Sequence, residues 1–471
     1  MKTIKTDIVV IGGGAGGLSV AAGAARMGVN VVLFEDGKMG GDCLNTGCIP
    51  SKALLAAGKA AHHVAGNPIM GISGSAAKVD FATTKAHVAE VIATIAPHDS
   101  VDRFKELGVT VIRERARFTG RNTVQSITHH VTSRYIVIAT GSTPMIPPIA
   151  GLDRTPFHTN ETIFSDKEMP DHLLIIGGGP IGIEMAQAHA RLGCRVTLVE
   201  ADTIMGRDDI ELVEILKSRL AEEGITLIEG VGVTKVSKSK RRITATLVNG
   251  VVLEASHLFV AIGRRPAIEG LDLGTADIAF TPAGIGTDKR LRTSNKRVFA
   301  IGDVTGRAQF THIAGYHAGI VIRNILFKLP AKVNESITPW VTYSDPEMAH
   351  VGLTEATAID LWGEGKIFVT KVPLTSVDRA IAERRAEGMV KIVTQKNGRI
   401  LGASILAPNA GEMVLAWVLA IGCRQKIDKM ANIIAPYPTY SDASKKAASQ
   451  YFIRKIFNQR TQRIVKFLLR W

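Results

Sequence analysis

The clearest feature of the sequence is a pattern of apolar and polar positions that occurs twice. Residues 8–35 read IVVIGGGAGGLSVAAGAARMGVNVVLFE, and residues 173–200 read LLIIGGGPIGIEMAQAHARLGCRVTLVE. Twelve of the 28 aligned positions are identical, without a gap, at an offset of 165 residues. Each copy opens with an apolar run, passes through a glycine turn into a helical stretch, and closes with a second apolar run. Such runs are typical of buried parallel strands, so the pattern predicts two strand–helix–strand units.

The glycines of these turns have the G-x-G-x-x-G spacing of a dinucleotide-binding unit. The first glycine permits a tight turn, the second lets a pyrophosphate approach the backbone, and the third lets helix and strand pack closely. The helix N-terminus then offers free N–H groups to the phosphates. Glu35 and Glu200 follow the third glycine by 18 residues and would accept hydrogen bonds from a ribose diol. The glycines are Gly12, Gly14 and Gly17 in the first copy and Gly177, Gly179 and Gly182 in the second.

Two such units in one chain predict two dinucleotides, FAD and a nicotinamide cofactor. Glu200 favours NADH, because a carboxylate at this position suits a free 2′-hydroxyl and repels the 2′-phosphate of NADPH. Arg207 lies near enough in sequence to receive that phosphate, so NADPH stays open as an alternative.

Further apolar runs complete these units and introduce a third domain. The runs at 135–144 and 257–266 each end in a glycine turn, and the run at 297–304 ends in Gly302-Asp303, whose carboxylate would meet a ribitol or ribose hydroxyl. Beyond residue 338 the pattern predicts a β-hairpin around Asn397-Gly398 and then a long apolar helix near 412–423.

We therefore predict an α/β protein with two Rossmann-like dinucleotide-binding domains and a C-terminal α+β domain. The predicted boundaries are 1–150 with 267–335 for FAD, 151–266 for NAD(P), 336–457 for the third domain, and 458–471 for a basic amphipathic tail.

Composition and charge indicate the expected cellular location and partners of the protein, but they say little about its reaction. The chain has 471 residues, 46% of them hydrophobic, and only four cysteines, so a large core is expected without disulfide staples. We expect a cytoplasmic protein with no secretory signal peptide and no nucleic-acid partner. The net charge of +14 is uneven, because residues 445–471 hold eight Lys/Arg residues and no acidic residue.

The stretch GGDCLNTGCIPSK, at 40–52, places Cys43 and Cys48 five residues apart. On a regular helix they would lie about 7.5 Å apart along the axis, so a disulfide requires a distortion that Gly47 permits. A structural staple would contribute only about 2 kcal/mol, and no His or Cys lies at metal-ligand spacing. A redox role explains more, because a helix N-terminus and Lys52 both lower a thiol pKa.

These residues resemble the class I pyridine nucleotide–disulfide oxidoreductases, which include dihydrolipoamide dehydrogenase, glutathione reductase and mercuric reductase. The resemblance covers about residues 5–455 and implies an FAD flavoprotein with a redox-active disulfide, homodimeric through its last domain. It implies that Cys43 is the interchange thiol and Cys48 the charge-transfer thiol, with Lys52 near the flavin and paired with Glu184. The other positions that the resemblance assigns to FAD or the nicotinamide cofactor are Gly41, Asp42, Ala139, Thr140, Gly141, Gly302, Asp303, His312, Ile181 and Gly263.

The chain departs from the disulfide reductases near its C-terminus. Those enzymes carry an acid–base histidine followed five residues later by glutamate, whereas here Tyr437 and Asp442 hold these positions in PYPTYSD. Tyrosine has a pKa near 10 and histidine near 6.5, so Tyr437 is a poor acid–base replacement. Mercuric reductases are similar in this stretch, but they also end in a cysteine pair that is missing here. The expected acceptor is therefore a disulfide or a soft metal ion.

Three secondary expectations concern residues outside these motifs. If the tail is one helix, Ile453, Phe457 and Ile464 share an apolar face, so peripheral membrane contact through 451–471 is an alternative. A flavin electron-transfer module with a quinone or protein acceptor would use that contact. Cys194 and Cys423 are both expected to pack in the core.

Overall fold

The structure is a computed structural model that describes residues 1–64, 66–240 and 242–469. Residues 470 and 471, the end of the predicted tail, lie outside the described residues. The chain forms two compact units. The first comprises Met1–Gly177, Ala188–Val199 and Val231–Val333, and the second comprises Gly178–Gln187, Glu200–Gly230 and the chain from Asn334 onward. The finer domain boundaries given above stay a prediction.

The strands fall where the apolar runs predict the main ones. Those up to residue 150 are β1 (Lys2–Ile11), β2 (Val31–Phe34), β3 (Gly66–Asn67), β4 (Ile72–Ser73), β5 (Thr110–Ile112), β6 (Arg117–Gly120), β7 (Thr123–Gln125), β8 (His129–Ile138) and β9 (Ser142–Pro144). Those that follow are β10 (His172–Ile176), β11 (Arg195–Glu200), β12 (Thr226–Glu229), β13 (Val233–Ser239), β14 (Arg242–Leu247), β15 (Val252–Ala255), β16 (His257–Val260), β17 (Arg264–Pro266), β18 (Phe280–Thr281), β19 (Gly284–Ile285) and β20 (Val298–Ala300). The last are β21 (Pro339–Thr342), β22 (Glu347–Gly352), β23 (Ile367–Pro373), β24 (Met389–Gln395) and β25 (Ile400–Ala407).

The helices of the first half are α1 (Ala15–Ala25), α2 (Gly41–Asn45), α3 (Cys48–Val64), α4 (Phe81–Ile95), α5 (Val101–Glu106), α6 (Pro180–Arg191) and α7 (Ile210–Glu222). Those of the second half are α8 (Thr311–Ile325), α9 (Glu355–Trp362), α10 (Asp378–Ala382), α11 (Ala410–Gly422), α12 (Ile427–Ala431), α13 (Asp442–Ile456) and α14 (Gln459–Leu468). Among the described residues, every helix is too short or too polar to cross a lipid bilayer.

The main sheet of the first unit runs in the order β5-β2-β1-β8-β7-β6, and β20 also pairs with β8. Strand β1 lies parallel between β2 and β8, with Val10 opposite Leu33 on one side and Val137 on the other. All three side chains are buried. This arrangement confirms the predicted parallel strands, and it brings the ends of β1, β8 and β20 to one edge.

The second apolar repeat builds a smaller parallel sheet in the first unit. Strand β10 lies between β11 and β16, with Leu173 opposite Val196 and His257. The continuous apolar run of β10 is buried throughout, because both neighbours and the flanking elements cover it.

The second unit is built on the antiparallel sheet β21-β22-β25-β24-β23. The predicted hairpin is confirmed as β24 and β25, whose turn has Gly398 at φ +87°. The predicted apolar helix is confirmed as α11, and Trp417 on it is fully buried in the core of this unit.

The tail differs from the single helix that its sequence suggests. Helix α13 ends at Ile456, and α14 begins at Gln459 after Asn458, whose side chain accepts a hydrogen bond from the Thr461 N–H at 3.0 Å. An N-cap of this kind starts a new helix, so one apolar face does not continue through the whole segment.

Candidate dinucleotide sites and cysteine pair

The first glycine turn has the close approaches that each glycine position requires. A Cβ on Gly12, where φ is +109°, would lie 2.3 Å from the Ala139 carbonyl oxygen, and one on Gly17 would lie 1.9 Å from that of Gly12. A Cβ on Gly14 would meet nothing closer than Gly41 Cα, at 3.8 Å. Gly12 and Gly17 therefore close the turn and let α1 pack on the sheet, while Gly14 leaves open space for a phosphate at the helix N-terminus.

Glu35 lies at the end of β2, beside this turn. Its carboxylate accepts hydrogen bonds from the backbone N–H groups of Gly13 and Gly37, both at 2.5 Å. It lines a cavity of about 300 Å³ that Gly12 and Thr140 also border. The cavity has the position and the carboxylate that an adenosine half of FAD requires, so the residues present fit the cofactor.

A partly buried polar network surrounds Asp303, the acid after β20. Its carboxylate accepts from Ser142 Oγ at 2.6 Å, and Arg264 Nε donates to the same Ser142 oxygen at 2.8 Å. Arg264 Nη2 also lies 3.3 Å from Asp42 Oδ2. Burial raises the pKa of Asp303, while Ser142 and Arg264 oppose the rise. Ser142 and Arg264 lie in the apolar runs at 135–144 and 257–266, but the sequence analysis assigned neither of them a role.

The cysteine pair lies across a break between two helices. Helix α2 ends at Asn45 and α3 starts at Cys48, as the bend expected at Gly47 requires. A Cβ on Gly47 would lie 3.0 Å from the Asp42 carbonyl oxygen, so a side chain would crowd the break. The Asp42 carboxylate accepts from Thr46 Oγ1 at 2.6 Å and from Asn160 Nδ2 at 2.8 Å, which fixes the turn.

The two thiols are both free in this structure, and their surroundings shift their pKa values in opposite directions. A hydrogen bond from Cys43 is the largest of the effects that lower the pKa of Cys48 to about 6, and Thr311 and Lys52 act in the same direction against burial. The hydrogen bond to Cys48 and burial raise the pKa of Cys43. Thr311 Oγ1 lies 3.3 Å from Cys48 Sγ. At neutral pH the pair is therefore a Cys48 thiolate beside a Cys43 thiol.

Lys52 and Glu184 are both placed on helices, and their pairing stays a prediction. Lys52 Nζ donates to Ser51 Oγ at 3.2 Å. Glu184, on α6, is buried and accepts a hydrogen bond from the Tyr343 N–H at 3.0 Å.

Helix α8 carries two histidines, His312 and His317, whose surroundings differ. The ring of His312 stacks on Phe310 at 5.2 Å between centroids. His317 is buried and accepts from the Gly302 N–H through Nδ1 at 3.2 Å. Burial, helped by Arg307, lowers the pKa of His317 to about 4. His317 therefore stays neutral at physiological pH and holds the Gly302-Asp303 turn.

The second repeat reproduces the contacts of the first. In the first unit, a Cβ on Gly177, where φ is +116°, would lie 2.4 Å from the Ala261 carbonyl oxygen. In the second unit, Glu200 accepts from the N–H groups of Gly178 at 2.6 Å and Asp202 at 3.0 Å, as Glu35 does in the first repeat. Gly179 has open space around its Cα, and Ile181 and Gly182 lie in the first turn of α6. The residues fit a second dinucleotide.

Tyr437 lies in the segment before α13 and is 71% exposed. Its hydroxyl donates to Asp378 Oδ2 at 2.7 Å, and this hydrogen bond and the carboxylate's charge raise the pKa of Tyr437. Asp442 forms an ion pair with Lys446 at 3.0 Å. Tyr437 is therefore a protonated phenol at neutral pH and cannot act as a base there.

The remaining two cysteines differ from each other. Cys194 is buried, as predicted, and burial raises its pKa to about 12. The same expectation for Cys423 is wrong, because it caps the end of α11 and is exposed.

A chain with two dinucleotide-type turns and a polarised cysteine pair at one of them belongs to the class of flavin- and nicotinamide-dependent disulfide oxidoreductases. Comparison with known families agrees. The family described as "Pyridine nucleotide-disulphide oxidoreductase" matches residues 6–318, and its dimerisation domain matches residues 338–448. The chain belongs to this family, whose members are FAD-dependent NAD(P)H oxidoreductases.

Similar proteins carry several acceptor specificities. Mercuric reductase of Lysinibacillus sphaericus is 34% identical over 456 residues, which is 94% of this chain and 82% of that protein. Dihydrolipoyl dehydrogenase of Bacillus subtilis (strain 168) is 30% identical over 93% of this chain and 96% of that protein. A solved structure described as the Cu(II) complex of the HOCl-induced flavoprotein disulfide reductase RclA from Escherichia coli is 27% identical. It has a TM-score of 0.85 and covers 94% of this chain and 99% of that one.

Proposed function

We propose that this flavoenzyme is an NADH-dependent reductase of a soft metal ion, which binds at the Cys43–Cys48 pair. The observation that carries the choice of acceptor is the state of Tyr437, whose pKa is raised by Asp378 at the position where disulfide reductases have an acid–base histidine. With mercuric ion the net reaction is NADH + Hg²⁺ → NAD⁺ + Hg⁰ + H⁺. The hydride's electron pair ends on the metal, and one proton is released.

FAD would be held by the first glycine turn, by Glu35 and by the network around Asp303. When bound, this cofactor supplies the two-electron link between the nicotinamide and the cysteine pair. The chain's own residues prepare the pair: Thr311 and Lys52 favour a Cys48 thiolate, and Cys43 keeps its proton until a ligand displaces it.

A metal ion suits this site better than a disulfide, because the two acceptors differ in their need for a proton. Reduction of a disulfide releases a thiolate that must be protonated, and the released group has a pKa near 8.5. Tyr437 is a much weaker acid than that thiol, so the transfer is uphill. A soft ion that displaces the Cys43 proton and binds both sulfurs needs no such donor. Mercuric reductases among the relatives and the Cu(II)-bound RclA support this choice.

The test compares acceptors on one preparation of the holoenzyme. NADH oxidation is measured with Hg²⁺, Cu²⁺, lipoamide, glutathione disulfide and a quinone. We expect turnover with at least one of the metal ions to exceed turnover with either disulfide by about tenfold or more. Replacing Cys43 by Ser removes it, and the matched control Cys423→Ser, at an exposed cysteine, keeps it. Faster turnover with lipoamide or glutathione disulfide overturns the proposal, and turnover with quinone alone supports the electron-transfer module instead.

We further propose that NADH is preferred to NADPH. Glu200 supports this preference, because its carboxylate is held beside the second glycine turn by two backbone N–H groups. A fixed negative charge there repels a 2′-phosphate.

The match to the family's dimerisation domain supports a homodimer. We propose a cytoplasmic location, with peripheral contact of α14 on anionic lipid. Three apolar side chains on this helix support the contact, because Ile464 is 50% exposed and Phe467 and Leu468 are each 63% exposed. Basic residues accompany them, as in helices that lie on anionic membranes. Deleting 458–471 should abolish cosedimentation with vesicles that contain phosphatidylserine. Unchanged cosedimentation would refute the contact.

A further inference from the structure

Three side chains that can bind metal ions lie close together in the first unit, and the function proposed above uses none of them. One ligand atom from each of His158, Asp166 and His257 lies within 4.8 Å of the other two. His158 Nε2 is 3.2 Å from Asp166 Oδ2, and His257 Nε2 is 3.7 Å from the same oxygen. The side chains are between 22% and 24% exposed, so the group is partly desolvated and still reachable from solvent.

The backbone places the two histidines side by side. His257 is the first residue of β16, and His158 bridges that strand opposite Phe259. The His158 N–H donates to the Leu258 carbonyl at 2.7 Å, and the Val260 N–H donates to the His158 carbonyl at 2.8 Å. The two rings are nearly parallel, with 6.0 Å between centroids and 17° between planes. Fixed backbone on both sides means that these ligands are held in place before any ion arrives.

The contacts of Ser256 hold the His257 ring so that one nitrogen faces Asp166. Ser256 Oγ donates its only proton to the His172 carbonyl at 3.0 Å, and it accepts from the His172 N–H. The same oxygen lies 2.9 Å from His257 Nδ1, and this contact orients the ring. With Nδ1 on this side, Nε2 is the ring nitrogen that faces Asp166, 3.7 Å from its Oδ2.

His158 has a similar second partner. Its Nδ1 lies 3.2 Å from Thr162 Oγ1, which orients the ring so that Nε2 faces Asp166. Burial lowers the pKa of His158, with His257 and Lys85 acting in the same direction and Asp166 opposing. Lys85 is itself buried, and burial lowers its pKa to about 8 while Asp166 raises it. Each imidazole therefore has a hydrogen-bond partner on its far nitrogen, and such a partner fixes the ring orientation of a metal-binding histidine.

We infer that His158, Asp166 and His257 form a binding site for one divalent transition-metal ion of the Zn²⁺ class. Two imidazoles and one carboxylate are a donor set for such ions, whereas Mg²⁺ and Ca²⁺ prefer oxygen ligands only. Bonds of about 2.0–2.1 Å in a tetrahedral site place ligand atoms about 3.4 Å apart. The two histidine-to-aspartate distances lie on either side of that value. Three protein ligands leave a fourth position for water, and the inference does not depend on the electron acceptor.

The test uses the oxidised holoenzyme, in which the closed Cys43–Cys48 disulfide does not offer thiolates. After treatment with a chelator, Zn²⁺ binding is measured by calorimetry, with FAD content as the check on folding. We expect one Zn²⁺ per chain and at least tenfold weaker binding in His257→Gln. Thr162→Val, which removes only a supporting hydroxyl, should weaken binding about tenfold. The matched control His63→Gln, at an exposed histidine of α3, should bind as the unaltered chain does.

Two results of the binding measurement would overturn the inference. One is the absence of saturable Zn²⁺ binding, and the other is equal binding by His257→Gln and His63→Gln. A second measurement identifies the ligands directly: the electron paramagnetic resonance spectrum with one Cu²⁺ per chain should show coupling to two imidazole nitrogens. That coupling should persist in Cys43→Ser/Cys48→Ser. Its loss in this double variant would assign the ion to the cysteines and contradict the site.

Discussion

The cysteine turn and the Tyr437 segment differ in how the chain holds their reactive groups. At the turn, Cys48 is half-buried, and Cys43, Thr311 and Lys52 together lower its pKa. In the other segment, Tyr437 is mostly exposed, and its hydrogen bond to Asp378 raises its pKa. The first region is prepared for electron transfer by its own chain. In the second region, the raised pKa of Tyr437 keeps its hydroxyl protonated at neutral pH.

The largest expected effect comes from removing Cys48, which we propose is the charge-transfer thiol. Cys48→Ala should lower NADH-dependent acceptor reduction by about 10³-fold or more, because no second thiolate can replace it. We expect NADH titration of the unaltered holoenzyme to produce a long-wavelength thiolate-to-flavin absorbance band, and Cys48→Ala should remove it. Cys423→Ser should keep both the rate and the band. A band that survives in Cys48→Ala would contradict the assignment of the thiols.

Replacing Tyr437 tests the other region. Tyr437→His introduces a group with a pKa near 6.5, so turnover with lipoamide or glutathione disulfide should rise by about 10- to 100-fold. Turnover with metal ion should change by less than about threefold, since that reaction needs no proton donor. The control Tyr437→Phe removes the hydroxyl without adding a base. A rise in both acceptor classes would show that the two regions are not independent.

The nicotinamide preference depends on Glu200, and its expected effect is smaller. Glu200→Gln removes the charge but keeps a side chain that can accept from the Gly178 N–H. The ratio of kcat/KM for NADH to that for NADPH should fall by about tenfold, mainly through KM for NADPH. The matched variant Glu35→Gln, at the first repeat, should leave this ratio unchanged. An unchanged ratio in Glu200→Gln would remove the basis for the NADH proposal.

The smallest effect concerns the pH at which the Cys48 thiolate forms. Its pKa is lowered to about 6, so the thiolate is present above that pH and is lost as the pH falls through it. The long-wavelength band of the reduced holoenzyme should therefore lose half its intensity near pH 6. Thr311→Val should raise this midpoint by about half a pH unit, because it removes a hydrogen bond to the thiolate, while Thr311→Ser should leave it in place. A midpoint that is equal in Thr311→Val and Thr311→Ser would exclude this hydrogen bond as a cause.

The sequence predicted those parts of the fold that depend on local backbone geometry. The two glycine turns, the strands on either side of them, the break at Gly47 and the hairpin at Gly398 all follow from short-range spacing. Each of these features is confirmed, because a glycine that must avoid a backbone atom or adopt positive φ is specified within a few residues. The tail was predicted less well, since the cap at Asn458 competes with helix continuation and its strength was not visible in the pattern of charges.

Contacts between residues far apart in the sequence depend on the tertiary structure rather than on local spacing. Thr311 lies 263 residues from Cys48 and contributes to the lowered pKa of its thiol. Arg264, on β17, and Asp42, on α2, are 222 residues apart in the sequence and form an ion pair at 3.3 Å within the first unit. Cys423 was expected to be buried because it ends an apolar helix, but the end of that helix is exposed.

By itself, the sequence determined the class of protein: two dinucleotide turns, a cysteine pair with a bend between its members, and a tyrosine in place of an acid–base histidine. These are properties of single segments, so spacing and side-chain chemistry are sufficient to define them. Only the tertiary structure decided which groups polarise Cys48 and which residues meet at His158, Asp166 and His257. The second set unites residues 99 positions apart through the pairing of His158 with β16. Such contacts depend on strand register and helix packing, which are set by the whole fold rather than by any one segment.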